Sequence, residues 1–302
     1  MTRVIVVGAG VVGLACAVRL LESGHRVDVL ARDLPLETTS SVAAAFWYPY
    51  RAFPQERVTA WAATAYAEFV GLAGEEHSGV RMVTGTEYLH RRQPDPWWIS
   101  AVPSLARESA LPDGYADGWS FTTPIIEMPI YLGWLIERIE ALGGTITRLN
   151  LSALPTGSCP VVNCAGLGAR FLGSDKSVVP VSGQTVLVEQ VGLARWSLDE
   201  SGPTYVVPRS CDIVIGGTAD EGEWNRTPSP EAARAILDRA TRLVPALEGA
   251  KVLRHKVGLR PVRPAVRVER VGDVVHCYGH GGAGVTLSWG AADEVVRLLE
   301  RD

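Results

Sequence analysis

The sequence predicts an α/β fold: one part of parallel strands and helices, and an interleaved α+β part built on a mixed β-sheet. Three observations predict it. Arg3-Val4-Ile5-Val6-Val7 is a β-branched apolar run of the kind found in buried parallel strands. Gly8-Ala9-Gly10-Val11-Val12-Gly13 follows at once, and Leu14 to Ser23 then carries helical spacing, with Leu14, Ala17, Val18 and Leu21 on one face. At the other end Val274 to Tyr278, Gly279-His280-Gly281-Gly282-Ala283-Gly284 and Val285 to Glu300 repeat the order of strand, glycine turn and helix.

The first unit sets a G-x-G-x-x-G between strand and helix, the context of a Rossmann-like dinucleotide-binding turn. Gly8 permits the tight turn, Gly10 lets a pyrophosphate approach the backbone, and Gly13 allows close helix–strand packing. The helix N-terminus, with Val11 and Val12, offers unpaired N–H groups and a positive dipole end to phosphate. Gly24 closes the helix, and Val27 to Leu30 is a second strand. An acidic ribose ligand is expected about twenty residues on. Asp33 is the candidate, after Ala31, while Arg32 suits phosphate or adenine instead. The motif does not choose between NAD and FAD.

At 302 residues and 47% hydrophobic content the chain can bury a sizeable core in one large domain or two ordinary ones. A net charge of −4 argues against a nucleic-acid surface. The five cysteines (Cys16, Cys159, Cys164, Cys211, Cys277) are scattered and never in C-x-x-C, which reads as reduced thiols of a cytoplasmic protein and no metal framework. There is no signal-peptide pattern at the N-terminus, no apolar run of membrane-spanning length and no peroxisomal S-K-L.

In order, Glu37 to Ser41 is a hydroxyl-rich turn. Val42 to Phe46 follows, small residues suited to packing against a flat ligand, with Thr39, Ser40, Ala44, Ala45 and Phe46 as candidates; a capped helix start is the plainer reading. Residues 56–75 form an amphipathic helix with Val58, Trp61, Ala62, Tyr66 and Phe69 as its apolar face. Val80 to Leu89 is a strand, and Gln93 to Trp98 an irregular loop barred from regular structure by its prolines. Ile130 to Leu142 is a helix stopped by Gly143-Gly144, and Thr145 to Leu149 a strand. Val161 to Gly168 is a strand running into a glycine turn. Gly183 to Glu189, Thr204 to Val207 and Asp212 to Ile215 are strands of the mixed sheet. Pro230 to Val244 is a helix capped by Ser229, and Leu253 to Arg270 reads as strand–turn–strand around Pro261 and Pro264.

Gly258-Leu259-Arg260-Pro261-Val262-Arg263-Pro264 and Tyr278 to Thr286, added to the first motif, resemble the D-amino acid oxidase family. Val42-Ala43-Ala44 leading to Trp47-Tyr48-Pro49-Tyr50, Val162 to Gly166, Tyr205-Val206-Val207-Pro208 and Gly216-Gly217 agree in order and spacing. The resemblance covers nearly the whole chain. It implies FAD bound in extended form by residues 1–50, 140–180 and 270–302, and a substrate domain from 51–139 and 181–269. It implies oxidation of neutral D-amino acids to imino acids, which hydrolyse to 2-oxo acids and ammonia, with molecular oxygen reduced to hydrogen peroxide.

By the same resemblance Arg260 is the planar fork for the substrate carboxylate, Tyr205 adds a hydrogen bond, and the Gly282 carbonyl accepts from the amine. Leu151, Gly281, Ala283, Gly284, Val285 and Thr286 join the FAD set. Arg263 and His280 read as structural. The family's second tyrosine falls at Ser201, its acidic ribose residue at Arg32, and Tyr48 stands where many members have a smaller amide. A homodimer stays open. D-aspartate oxidase would need an extra cation, for which Arg209 is the nearby candidate on a strand position of the wrong face. Glycine or sarcosine oxidase, an NAD-dependent dehydrogenase and a non-catalytic nucleotide-binding module stay open as well; the second glycine turn disfavours the dehydrogenase.

Overall fold

A computed structural model describes residues 2–300. The chain begins with β1 (Arg3–Val7), α1 (Val11–Glu22) and β2 (Arg26–Ala31). Next come α2 (Gln55–Leu72), β3 (Val80–Leu89), β4 (Ala106–Arg107), β5 (Asp117–Ile126), α3 (Met128–Ala141), β6 (Thr145–Arg148), β7 (Val161–Asn163) and α4 (Ala169–Leu172). The remainder is β8 (Val179–Glu189), β9 (Trp196–Asp199), β10 (Thr204–Pro208), β11 (Asp212–Gly216), β12 (Asp220–Glu221), α5 (Pro230–Leu243), β13 (Val252–Val271), β14 (Val274–His280) and α6 (Gly284–Glu300). Among the described residues no helix is long and apolar enough to cross a membrane.

The strands run in the order β4-β5-β3-β9-β10-β11-β8-β13-β14-β7-β1-β2-β6, with β12 on β8. From β14 to β6 every neighbouring pair is parallel. β1 is central there and reads as continuous buried valine and isoleucine, as a strand covered on both faces must. α1 and α6 cover this part, with Leu14, Cys16, Val18, Leu287 and Trp289 fully or almost fully buried. The other part is mostly antiparallel, apart from the β3–β9 pair. One face of its sheet buries Val186, Val188, Val206, Ile213 and Ile215 against Ala233, Ile236 and Ala240 of α5. Ser229 caps that helix, its Oγ accepting from the Ala232 N–H at 3.2 Å. By strand alternation Gly183, Thr185 and Tyr205 point the opposite way, into the cavity described below.

Three expectations are corrected. Leu253 to Arg270 is one strand, not strand–turn–strand: β13 pairs with β8 from Val252 to Val262, then shifts register between Val262 and Arg267 to pair with β14. Pro261 lies opposite Pro180 and Pro264 falls within the shift, places where a missing N–H is tolerated. β5 and β9 were not expected. β5 contains Gly118 and Pro124, which argue against a strand, yet it pairs with β3 along its whole length. β9 is only four residues long, too short to show alternation. The helix expected from Leu14 begins earlier, with Gly10 as its N-cap.

Candidate active site

A cavity of about 930 Å³ runs from the Gly8–Gly13 turn to the inward face of the mixed sheet. It is at the upper end of the range for small-molecule and cofactor sites. Its wall at the β1 end is backbone. Gly8 has φ +112°, and a Cβ there would stand 2.4 Å from the Cys164 carbonyl oxygen. A Cβ on Gly13 would stand 2.0 Å from the Gly8 oxygen. The Val11 N–H at the start of α1 donates to Ser40 Oγ at 3.0 Å, which draws the hydroxyl-rich turn over the helix end. Thr39 Oγ1 donates to the Leu259 carbonyl at 3.0 Å and ties that turn to β13. After β2, Arg32 holds Asp33 at 2.6 Å, which together with Arg226 and Arg148 keeps the Asp33 carboxyl below its ordinary pKa.

At the sheet end the wall is side chains. Arg260 projects from β13 over Gly183 of β8, where a Cβ would stand 2.1 Å from Nη1, so only glycine leaves room for the fork. Nη1 donates to the Thr218 carbonyl at 3.0 Å. The Tyr205 ring lies over Gly216 in the same way, with a Cβ there 1.8 Å from Cζ. Burial raises the Tyr205 pKa against the pull of the neighbouring Arg260 guanidinium. Gly282 adjoins both Tyr50 and Arg260: its Cβ would be 3.2 Å from Tyr50 Cδ1 and 3.6 Å from Arg260 Cδ. Phe46 stacks on Tyr48 at 5.8 Å and tilts toward Tyr205 at 6.0 Å, which makes this end aromatic. Thr286 of α6 both accepts from the Tyr48 N–H and donates to its carbonyl.

Every residue given a substrate-binding or FAD-binding role from the sequence lines this cavity except Ala283. Ala283 is fully buried and belongs to the hydrophobic core. His280 is buried and its pKa is pushed down to about 4 by desolvation, so the ring stays neutral and serves poorly as a base. Arg263 bonds Asp175 at 2.8 Å outside the cavity. Arg209 is closed on Asp212 at 2.6 Å and also lies outside it. Ser201 does not reach the cavity but caps Asp199, while Asp199, Glu200, Gly202 and Pro203 line it.

The cysteines are not all scattered: Cys16, Cys164 and Cys277 bring their sulfurs within 4.8 Å of one another in the interior. Mutual hydrogen bonding and burial push the Cys16 thiol well up, which favours the thiol over the thiolate a metal needs. Tyr50 and Glu87 are among the lining residues to which the sequence alone assigns no role. Tyr50 stands in the run Trp47-Tyr48-Pro49-Tyr50, where nothing local marks it as a wall of the cavity. Glu87 stood inside a strand, and its inward orientation depends on register, which local sequence does not reveal.

Parallel strands, glycine turn and long cavity define a dinucleotide-binding protein of Rossmann type. A family model described as FAD dependent oxidoreductase matches residues 3–298, and the chain belongs to that family. It is 49% identical to the D-amino-acid oxidase of Rubrobacter xylanophilus, over 99% of this chain and 96% of that protein. It is 37% identical to the D-aspartate oxidase of Homo sapiens, over 98% and 94%. The crystal structure of glycine oxidase from Geobacillus kaustophilus superposes with a TM-score of 0.85 at 21% identity, over 100% of this chain and 96% of that one. The cavity fits the family's cofactor. Besides its volume and backbone wall, two buried polar atoms that lack a hydrogen-bond partner, Thr185 Oγ1 and His280 Nε2, belong to lining residues.

Proposed function

We propose that the protein catalyses oxidative deamination of neutral D-amino acids to 2-oxo acids, ammonia and hydrogen peroxide. The observation that carries this reading is the Arg260–Tyr205–Gly282 cluster at the sheet end of a dinucleotide cavity. Gly8 to Gly13 and the start of α1 would hold the FAD pyrophosphate. Ala31, Arg32 and Asp33 would meet the ribose and adenine side. Thr39, Ser40, Ala44, Ala45, Phe46 and Leu151, with Gly281 to Thr286 from the second turn, would line the rest. When bound, FAD supplies a two-electron acceptor for the Cα hydride, which oxygen then regenerates.

The remaining work is orientation. Arg260 pairs with the substrate carboxylate through its planar fork. The Tyr205 hydroxyl donates to the same carboxylate, and the raised pKa of that hydroxyl keeps it a donor at neutral pH. The Gly282 carbonyl accepts from the substrate amine and fixes its direction relative to the carboxylate held at Arg260. The imino acid then hydrolyses in solution. An acidic side chain would need a second cation. The cations lining the cavity among the described residues are Arg32, Arg226 and Arg260, and Arg226 sits near Asp33 at the far end. That favours neutral substrates over D-aspartate.

The test is oxygen-dependent peroxide formation by the FAD-loaded protein. D-alanine and D-valine are expected to be oxidised and their L-forms not. Activity confined to D-aspartate, or absent with every D-amino acid, overturns the reading.

A further inference from the structure

The tip of Arg260 meets the Thr218 carbonyl, which accepts from Nη1 at 3.0 Å. Thr218 lies beyond the end of β11, whose ladder to β8 finishes at the Gly216–Thr185 pair. A chain segment that has left its strand is free to drift unless other bonds hold it. Two bonds to one residue do so here. The Thr218 N–H donates to the Gln184 carbonyl at 3.3 Å, and the Gln184 N–H donates to Thr218 Oγ1 at 3.0 Å. The hydroxyl thus stands in for the backbone acceptor that β11 no longer supplies, and a strand N–H of a buried residue is satisfied. The corner also sits tight on β8, since a Cβ on Gly217 would stand 2.9 Å from the Gln184 carbonyl oxygen.

A second tie comes from behind the sheet. By strand alternation Gln184 and Thr204 point away from Gly183, Thr185 and Tyr205, toward α5. The Gln184 amide donates to the Ser229 carbonyl at 2.9 Å and accepts from the Ser229 N–H at 2.7 Å, which seats the start of α5 on β8. Farther along α5, Arg239 donates from Nε to Thr204 Oγ1 at 3.0 Å and from Nη2 to the Gly217 carbonyl at 2.8 Å. Thr204 is buried and immediately precedes Tyr205; Gly217 immediately precedes Thr218. One guanidinium therefore holds the backbone next to both groups that face the carboxylate site. Arg239 does not itself line the cavity, so it acts on that site through its neighbours.

We propose that Thr218 and Arg239 are positioning residues for the substrate anchor: together they hold the Gly217–Thr218 corner, and the Thr218 carbonyl pins the Arg260 fork above Gly183. This rests on the reading of Arg260 as the carboxylate ligand and adds how the fork is kept ready. A loose arginine loses its rotamer freedom when a ligand arrives. A pinned one has already lost it on folding, so the same ion pair gives tighter binding. The fork meets both carboxylate oxygens only when the two groups share a plane, so a shift of the pinning carbonyl is felt as affinity. The carboxylate is held in the ground state and the transition state alike, and the effect therefore falls on KM more than on kcat.

The experiment measures binding first. FAD-loaded protein is titrated with propionate, which carries the carboxylate of D-alanine and no amine, following the flavin absorbance. Thr218→Val keeps the shape of the side chain and removes its oxygen. It is expected to weaken propionate binding about tenfold and to raise the KM for D-alanine as much, with kcat within about threefold of wild type. Thr218→Ser returns the oxygen and is expected to return both values. A general loss of structure would instead lower the active fraction, and so kcat, and leave KM and propionate affinity as they were. Unchanged propionate affinity in Thr218→Val, or equal weakening in Thr218→Ser, overturns the proposal. Should Thr218→Val not fold, Arg239→Met decides by the same titration: weaker binding is expected, and unchanged affinity overturns the proposal. Arg260→Ala is titrated beside them. If it binds propionate as wild type does, the anchor has failed and the positioning role with it; if it binds weakly while Thr218→Val binds normally, only the positioning role has failed. If D-alanine yields no peroxide while the propionate differences hold, the proposed activity has failed and the positioning role stands.

Discussion

At the β1 end of the cavity the wall is backbone. Gly8 and Gly13 sit where any side chain would strike the Cys164 or Gly8 carbonyl oxygen, and the first N–H groups of α1 close the turn. At the β8–β13 end the wall is side chains: Arg260 over Gly183, Tyr205 over Gly216, and Glu87 in line with Tyr205 across two strand pairs. Glycine serves both ends in different ways. In the first it lets the chain turn; in the second it clears space for a neighbour's large side chain. A backbone site tolerates no substitution at the turn itself, whereas a side-chain site tolerates change in the frame and fails at single groups.

The largest effect is expected at the turn. Gly8→Ala adds a Cβ 2.4 Å from a backbone oxygen at φ +112°, at a cost of roughly 3–5 kcal/mol in strain and overpacking. FAD per chain and Tm are both expected to fall. Full flavin content with an unchanged Tm would break the contrast drawn above.

Arg260→Ala reads the other end. Leaving a carboxylate unpaired in a buried pocket costs about 2–5 kcal/mol, or roughly one and a half to four decades in kcat/KM for D-alanine. FAD content and Tm are expected to hold. A loss under about threefold, below 1 kcal/mol, removes Arg260 as the anchor.

Glu87 ties the side-chain end to stability. Its carboxyl titrates at about 7 in the fold against an ordinary 4.5. The raised value means that its contribution is full below pH 4.5 and is lost as pH rises through 7, to the extent of about 3 kcal/mol. Glutamine does not titrate, so the Tm of Glu87→Gln minus that of wild type is expected to grow from pH 5 to pH 8. Scanning calorimetry across that range checks it; a difference that is flat or shrinks shows that Glu87 is already ionised at low pH.

The smallest effect separates frame from function. Gly183→Ala places a methyl 2.1 Å from Arg260 Nη1. The guanidinium is the far end of a flexible side chain and swings aside, so stability is expected to change by about 1 kcal/mol or less. The fork is displaced, however, and kcat/KM for D-alanine is expected to drop roughly tenfold, about 1.4 kcal/mol. Unchanged kinetics would show that Arg260 does not need the space above Gly183.

The same contrast explains which features were legible in advance. Gly8, Gly10 and Gly13, the valine run of β1 and the repeated strand–turn–helix at Val274 to Glu300 are consequences of local chemistry: a tight turn, a doubly covered strand and an amphipathic helix leave their pattern in consecutive residues. Resemblance to a family added Arg260 and Tyr205, which no local pattern could have distinguished from a surface arginine and a core tyrosine. Tertiary structure decided the rest. It made Leu253 to Arg270 one strand because β8 and β14 offered successive partners, and it paired β5 along β3 despite Pro124. It gathered Cys16, Cys164 and Cys277 from three distant segments, and turned Glu87 inward by pairing it through Leu198 to Tyr205. Register is a property of two strands at once, and a shift of one residue would send Glu87 to the opposite face; a single stretch of sequence contains only half of that information.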